Sequence, residues 1–510
     1  MKSIFFSIGL LLMTSVIMAQ DPLREGDAFF DEGNYKAALE QYLKALKSNK
    51  DDVTLQNNIG ICYLELNVDR SQAIPYMEWV VKQEKIDEYA WYDLGRAYHF
   101  DHQFDKAIES YRKFNAKSKD EDFKKMAKLG IAQCENAKVL VGKPIDVEFF
   151  NVGENINTEN NDFQPYIPAD ESTLVFTSDD KYDSRYKIHI NNVLISEKKD
   201  GVWERSKNVG IVNSQEDEFV SGLAANDQWL FVKYQRYEAF DDIYMAEKKG
   251  ARISKPVDMG DKINTKYVES GATLTPVGDT LYFASDREGG LGGMDIWMSI
   301  RLPDGDWGTP INVGEPINTP YDEDYPHMMS DGVTFFFSST GHNSMGGYDV
   351  FRTKLNTSTG KFAPPRNFGY PINNTYDNLS IAMSSNFRYA YVADVRKEGM
   401  GGMDIYRVVF NNVDANIFLH KGSFKVGEGA ELNISQEANI VVEVTNKETN
   451  EVQGKYKYNV AKNEFLMALP PGDYTASVKI DGYKEVNQEI LVPDLLPNRI
   501  FNIKIALQPE

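Results

Sequence analysis

Two internal repeats of different length follow one another along the chain, and they constrain its fold more than any other feature of the sequence. In the first, glycines recur at spacings of 34, 35 and 35 residues, at Gly26, Gly60, Gly95 and Gly130. In the second, an Ile-Asn-Thr-like tripeptide recurs five times, at spacings of 56, 51, 54 and 55 residues. A fixed period is typical of stacked or ring-shaped domains, so the chain is predicted to be multidomain, with two repeat domains of different class.

The first repeat is rich in Ala, Leu, Lys and Glu and carries a set of small and aromatic positions. The clearest copies are Gly26, Phe29, Tyr35, Ala38 and Tyr42, and Gly95, Tyr98, Phe104, Ala107 and Tyr111. The middle copy has Met77 where an aromatic ring is expected. Small residues let paired helices approach, and large rings fill the spaces between them. The pattern of positions resembles the tetratricopeptide family. The resemblance implies an α-helical tetratricopeptide solenoid at residues 20–142, with three repeats and a closing helix from about Asp122 to Val141.

In tetratricopeptide solenoids, the first helix of each pair lines a concave groove that usually binds a peptide or a protein. The resemblance implies that Asn57, Tyr92, Arg96 and His99 form this protein-binding groove here, the alternative being that they are only solvated. His99 and His102 have the spacing of two metal ligands on a helix, but no third ligand is evident. We therefore expect no metal and no cofactor in the solenoid.

The chain has only two cysteines, Cys62 and Cys134, and they belong to helices two repeats apart. Their Cα atoms are predicted to lie about 20 Å apart, beyond the ~7 Å limit for a disulfide. Both are expected to be buried free thiols.

After Pro144 the composition changes to short alternating runs rich in Thr, Val, Phe, Tyr, Gly, Asp and Asn. A period above 50 residues accommodates four short strands and their turns, as in a propeller blade. Three units contain a Gly-Gly-x-Asp turn before a strand, at Asp295, Asp349 and Asp404. The pattern resembles the TolB-like, WD-type β-propeller family, which implies a β-propeller at residues 143–411. Five blades are expected, or six if the degenerate first unit hides another.

The last unit lacks the strand that completes the other blades, and a segment at the front of the region supplies it. Residues 149–157 match residues 310–318, which contain the same Asn-Val-Gly-Glu sequence. A first strand that completes the last blade would close the ring and remove both sheet edges.

Two readings of the polar residues in the propeller remain open. The three Gly-Gly-x-Asp aspartates either form a ring that binds a cation or fix turns by accepting hydrogen bonds from nearby backbone amides. Arg287 and His342, with an aspartate, could also converge at the channel mouth as a ligand-binding or hydrolytic site.

Residues 415–510 form short strands without a long repeat, which predicts a small β-sandwich. The stretch from Leu469 to Tyr474, followed by Gly482 and Tyr483, resembles the carboxypeptidase regulatory-like, transthyretin-type domain. The sequence contains no His-Glu-x-x-His or Gly-x-Ser-x-Gly pattern, so we predict no catalytic residues and no enzyme activity.

The charge balance, 55 − 76 = −21, repels phosphate backbones and anionic lipids, so nucleic-acid binding is not expected. Residues 1–19 have the features of a secretory signal peptide, which places the mature protein outside the inner membrane. No other apolar run approaches the ~20 residues of a membrane span, so direct membrane insertion is not expected.

The order of leader, tetratricopeptide helices, propeller and sandwich resembles the periplasmic accessory protein of the Bacteroidetes type IX secretion system. The resemblance implies a non-catalytic periplasmic scaffold, associated with the outer membrane through periplasmic or outer-membrane protein partners of a secretion complex. In that family an OmpA-like domain follows the sandwich; none follows here, so direct peptidoglycan binding is not expected. The alternatives are a ligand-binding or hydrolytic propeller protein and a cell-surface glycan-binding or adhesin module.

Overall fold

The computed structural model describes residues 21–509, except residues 169–170, 185–187, 236–240, 357, 385–386, 412–417, 428–431, 433, 436–437, 439, 471 and 493–499. The predicted signal peptide lies outside the described residues. The chain forms two compact units, one up to Ile131 and one from Ala132 onward. Each unit is described separately below.

The first unit is built from helices that form three consecutive pairs, followed by a closing helix that continues into the second unit. The helices are α1 (Pro22–Asp31), α2 (Tyr35–Ala45), α3 (Val53–Glu65), α4 (Ile74–Val80), α5 (Tyr89–Phe100), α6 (Phe104–Lys117) and α7 (Glu121–Val141). A short 3₁₀ helix, Arg70–Ala73, precedes α4. The predicted three repeats and closing helix are confirmed. No helix in the described part of the chain is long and apolar enough to cross a bilayer.

Side-chain caps fix where three of these helices begin. Asp21, Asn34 and Asp52 accept hydrogen bonds from the backbone N–H groups of Leu23, Ala37 and Leu55, at 3.0–3.2 Å. Each bond satisfies an amide in the first turn that has no partner within its own helix.

The repeated glycines allow the two helices of each pair to approach closely. A Cβ atom added at Gly26 would lie 2.7 Å from the ring of Tyr42, and one added at Gly95 would lie 2.7 Å from the ring of Tyr111. In the middle pair Gly60 faces Met77 instead. The predicted contact between a small residue and a large one is therefore confirmed, with methionine replacing the ring in the second repeat. Cys62 and Cys134 are both free and buried, as predicted.

The second unit contains the propeller, and its strands follow in chain order. They are β1 (Val147–Asn151), β2 (Asp162–Tyr166), β3 (Thr173–Asp183), β4 (Ile188–Lys199), β5 (Val202–Trp203), β6 (Lys207–Asn208), β7 (Asp217–Leu223), β8 (Trp229–Gln235), β9 (Asp242–Lys249), β10 (Arg252–Ile253), β11 (Val257–Asp258), β12 (Glu269–Leu274), β13 (Thr280–Ser285), β14 (Asp295–Ile300), β15 (Ile311–Asn312), β16 (Glu323–Met328), β17 (Thr334–Ser339), β18 (Asp349–Asn356), β19 (Lys361–Phe362), β20 (Arg366–Asn367), β21 (Ala382–Met383), β22 (Tyr389–Asp394) and β23 (Asp404–Phe410).

In the described residues these strands form five sheets, one for each blade of a propeller. The first four blades contain β2–β6, β7–β11, β12–β15 and β16–β20, and the fifth contains β21–β23 with β1. The five-blade prediction is confirmed. The six-blade alternative is wrong, because the degenerate first unit forms a single sheet.

The fifth blade is closed by the first strand of the region. Strand β1 pairs antiparallel with β23, from Val147 opposite Phe410 to Asn151 opposite Tyr406. The predicted closure of the ring is therefore confirmed. Because β1 covers the edge of β23, the last blade presents no open edge on that side.

The asparagine of each repeated tripeptide bonds to the third strand of a blade. Its Oδ1 accepts from the backbone N–H, and its Nδ2 donates to the backbone C=O, of one residue in that strand, at 2.8–3.0 Å. The five pairs, which we call the asparagine staples, are Asn157–Ile405, Asn213–Val193, Asn264–Ile243, Asn318–Ile296 and Asn373–Val350. In each copy the tripeptide therefore holds the chain that follows a blade against the third strand of that blade.

The residue after the asparagine bonds to the first strand of the next blade. In the fourth copy of the tripeptide, the backbone N–H and Oγ1 of Thr319 donate to the carboxylate of Glu323, at 2.8 and 2.7 Å. The same pattern joins Thr158 to Asp162, Ser214 to Glu218 and Thr265 to Glu269. Each of these four tripeptides therefore links one blade to the next.

After the propeller, the chain forms two small sheets that share one core. One sheet contains β24 (Phe418–Lys425), β27 (Phe465–Leu469) and β30 (Ile500–Ala506); the other contains β25 (Val441–Asn446), β26 (Val452–Lys457), β28 (Gly472–Val478) and β29 (Val486–Val492). Val444, Phe465 and Tyr474 are among the fully buried residues between them. The predicted β-sandwich is confirmed, while its membership of the carboxypeptidase regulatory-like family and the predicted domain boundaries stay predictions.

The close helix contacts predict different outcomes for two glycine substitutions. Gly95→Ala places a methyl group against the buried ring of Tyr111, and we expect it to lower the free energy of unfolding by about 1–3 kcal/mol. Gly60→Ala meets the terminal methyl of Met77, which can rotate away, so its effect is expected to stay within about 1 kcal/mol. Chemical denaturation monitored by circular dichroism at 222 nm compares the two variants. Equal losses would contradict the packing described here.

Candidate functional site

A cavity of about 470 Å³ lies on the first unit, among the first helices of the second and third pairs and the closing helix. Its walls come from α3, α5 and α7. The lining residues are Ile61, Glu65, Tyr89, Tyr92, Asp93, Arg96, Phe123 and Met126. The cavity combines aromatic and aliphatic surface with three charged side chains.

Two of the four predicted groove residues line this cavity. Tyr92 and Arg96 lie one turn apart on α5 and both reach the wall. Asn57 is half-buried on α3, outside the lining. His99 is only 6% exposed, and its ring lies edge-on to Phe104 at 5.9 Å between centroids. The binding role of the four residues stays a prediction, but their side chains do not form one continuous surface around this cavity.

The charged side of the cavity is organised by Arg96. Its Nη1 donates to Glu65 Oε1 at 2.9 Å and to Asp93 Oδ1 at 3.3 Å, so one guanidinium bridges α3 and α5. Burial raises the pKa of Asp93 to about 6, although Arg96 opposes this shift. With both carboxylates ionised, the cluster carries one excess negative charge.

The aromatic side of the cavity is held by ring contacts. The ring of Tyr92 packs against Tyr111, Phe114 and Phe123 at centroid distances of 5.5–5.7 Å. Phe123 in turn lies edge-on to Tyr89 at 4.8 Å, and the Tyr89 hydroxyl donates to Asp120 at 2.8 Å. These contacts hold the rings in place, because each of Tyr89, Tyr92 and Phe123 packs against at least two other aromatic rings.

Sequence reasoning did not identify six of the lining residues: Ile61, Glu65, Tyr89, Asp93, Phe123 and Met126. Phe123 and Met126 belong to the closing helix, which lies outside the three repeats, so no repeat position pointed to them. Ile61 and Glu65, and likewise Tyr89 and Asp93, are four residues apart on one helix. This spacing places each pair on a shared face and is the signal that could have found them.

The Gly-Gly-x-Asp aspartates of the propeller hold turns. One oxygen of each accepts a hydrogen bond from a backbone N–H four residues earlier, in Leu291, Met345 and Met400 respectively. The same oxygen accepts a bond from an asparagine side chain, Asn312, Asn367 or Asn151. The turn-fixing reading is confirmed. Among the described residues, no three His, Cys, Asp or Glu side chains are grouped as metal ligands.

Arg287 and His342, considered above for a site at the channel mouth, are each engaged locally. Arg287 Nη2 donates to buried Glu269 at 2.9 Å and to the carbonyl of Ile263 at 2.6 Å. His342 Nε2 is 2.9 Å from the carbonyl of Ile317. Both side chains therefore serve the packing of their own blade regions.

Comparison with family models identifies the helical region. Residues 26–67 match the model described as TPR repeat, and residues 88–114 match the model described as Tetratricopeptide repeat. The N-terminal region carries tetratricopeptide repeats. The cavity spans these repeats and the helix that follows them, and such repeats suggest protein–protein interaction. Among curated proteins, none matches the chain significantly.

Several solved structures have a remote likeness to the chain. TolB from Acinetobacter baumannii is 13% identical, with 50% of this chain and 56% of that chain covered and a TM-score of 0.32. The GH43_1 enzyme from Xanthomonas citri, complexed with xylose, is 13% identical over 54% and 92% of the two chains, with a TM-score of 0.36. Bacteroides ovatus GH43B is 12% identical over 67% and 91%, with a TM-score of 0.30. Likenesses this remote assign no substrate or activity to the chain.

The buried carboxyl groups of the propeller predict a pH-dependent stability. Burial raises the pKa of Asp349 from 3.8 to about 8, that of Glu323 to about 7 and that of Asp162 to about 6. Because the folded state holds these protons more tightly than the unfolded state, the contribution of these three groups to stability is fully present below about pH 4. It is lost progressively as pH rises through 8. We expect the thermal midpoint of the propeller to fall between pH 5 and 8.5.

Asp349→Asn removes one of these titrating groups, so the fall should become smaller without disappearing. Exposed Asp261→Asn is the matched control and should keep the wild-type slope. Differential scanning calorimetry across the pH range measures both. A wild-type midpoint that rises with pH over this range would contradict the buried, protonated state of these carboxyls.

Proposed function

We propose that the protein is a non-catalytic adaptor that holds a partner protein in the cavity of its tetratricopeptide unit. The supporting observation is the composition of that cavity, which places three aromatic rings, two aliphatic side chains and a bridged charge cluster around one concavity. Protein-binding surfaces combine such aromatic and arginine anchors with apolar area. Six of its eight lining residues also lie within the ranges that match the tetratricopeptide family models.

The propeller and the sandwich supply further surfaces on the same chain. In the propeller, the polar side chains considered for a cation, ligand or hydrolytic site make local hydrogen bonds. The aspartates fix turns, and Arg287 and His342 bond within their own blade regions. This bonding favours a scaffold over a ligand-binding or hydrolytic propeller. A solenoid and a propeller on one polypeptide offer separate surfaces for binding other proteins.

We further propose that this adaptor acts in the periplasm, as part of an outer-membrane-associated complex, and that the complex belongs to type IX secretion. The support is the order of the segments: a leader-like N-terminus, tetratricopeptide helices, a propeller and a small sandwich. The acidic balance of −21 favours a protein partner over nucleic acid or anionic lipid.

Site-specific photo-crosslinking in cells tests the binding site. A photoreactive phenylalanine analogue replaces Met126, which is 49% exposed at the cavity, and in a control variant replaces Met400, which is 45% exposed on the propeller. We expect a discrete adduct with an envelope protein at position 126 and none of the same mass at position 400. Adding Met126→Gln to a chain with the photoreactive residue at Ile61 should reduce the adduct, because a polar amide disfavours apolar contact while leaving the charge of the cavity unchanged. Absence of any adduct at positions 61 and 126 would refute the cavity as the binding site.

A further inference from the structure

We propose that the cavity of the tetratricopeptide unit recognises a basic side chain, lysine or arginine, presented by an extended segment of the partner protein. This inference rests on the proposed protein-binding function and specifies the chemistry of the ligand. It combines the charge of the cavity, the identity of its aromatic wall and the unused donors of Arg96.

The charge cluster favours a cation over an anion. Arg96 already faces two carboxylates, Glu65 at 2.9 Å and Asp93 at 3.3 Å. An incoming anion would therefore meet these carboxylates at the only cationic group in the lining. An incoming ammonium or guanidinium group instead neutralises the excess charge, and the partly desolvated setting strengthens that attraction.

The aromatic wall favours the same ligand. Tyr89, Tyr92 and Phe123 line the same cavity as the two carboxylates. The face of an aromatic ring carries negative charge density and attracts an ammonium or guanidinium group. The aliphatic stem of lysine or arginine can meanwhile pack on Ile61 and Met126, which are also in the lining.

The cavity has room for more than one side chain of the ligand. Its volume of about 470 Å³ lies within the range of ~300–1,000 Å³ that is typical of ligand sites. In the described residues, both hydrogen bonds of Arg96 come from Nη1, which leaves Nε and Nη2 to donate to backbone carbonyls of a bound segment. A basic side chain flanked by apolar residues fits this arrangement of groups.

Fluorescence anisotropy with labelled peptides tests the inference on the full chain. Three nonapeptides, Gly-Ser-Ala-Leu-X-Leu-Ala-Ser-Gly, carry lysine, the neutral isostere norleucine, or glutamate at X. We expect the lysine peptide to bind about fivefold more tightly than the norleucine peptide, and the glutamate peptide to bind most weakly.

Two variants locate the preference. Glu65→Gln keeps an acceptor for Arg96 and removes one negative charge from the cavity. It should therefore reduce the lysine preference to about twofold or less while changing the affinity for the norleucine peptide by no more than about twofold. Glu109→Gln, at an exposed glutamate on α6 outside the cavity, should keep the wild-type preference.

The outcomes separate the two proposals. Equal affinity for lysine and norleucine peptides, tighter binding of the glutamate peptide, or a lysine preference that Glu65→Gln leaves intact would each overturn recognition of a basic side chain. If an adduct forms at Met126 in cells while no peptide binds, the basic-side-chain inference fails and the protein-binding function stands. If neither adduct nor peptide binding is found, both fail.

Discussion

The propeller depends on one hydrogen-bonded exchange, in which an asparagine side chain bonds to the backbone of a neighbouring strand. Oδ1 and Nδ2 of Asn318 supply the same acceptor and donor that a paired strand residue would offer to Ile296, at 2.9 Å each. The next residue, Thr319, then bonds to the carboxylate of Glu323 at the start of the following blade. Four of the five copies repeat both contacts, so neighbouring blades are joined at four equivalent places. In the fifth copy the backbone N–H of Asn374 donates to the side chain of Asn378, which precedes β21.

The helical unit depends on close packing between paired helices, and its cavity lies among the first helices of successive pairs. Gly26, Gly60 and Gly95 bring paired helices together, so the first helices of successive pairs stand side by side. Arg96 bridges two of them through Glu65 and Asp93. Such a buried charge cluster gives little net stability by itself, since desolvation offsets the attraction between the charges. Its value in the proposed function is the excess negative charge that it leaves at a concave, aromatic-lined surface.

Repetition explains which features could be predicted from the sequence. The Ile-Asn-Thr spacing predicted the number of blades, and the match between residues 149–157 and 310–318 predicted the closing strand, because equivalent positions make equivalent bonds. The cavity was predicted only in part. Tyr92 and Arg96 lie on the expected helix face, but Phe123 comes from the closing helix, which lacks the repeat pattern. His99 lies two turns beyond Tyr92 on the same helix, but its ring packs against Phe104 and does not line the cavity. Tertiary contacts of this kind have no local signature.

Hydrogen exchange at the closing blade measures most directly whether the asparagine staples hold the ring. Asn157→Ala leaves the N–H and C=O of Ile405 without their side-chain partner, while Asn343→Ala changes an exposed asparagine in another blade. An unsatisfied buried backbone group costs about 1–3 kcal/mol, so exchange across β23 and β1 should accelerate by about tenfold or more in Asn157→Ala and stay at the wild-type rate in Asn343→Ala. Unchanged protection of β23 and β1 in Asn157→Ala would contradict the role assigned to the staple.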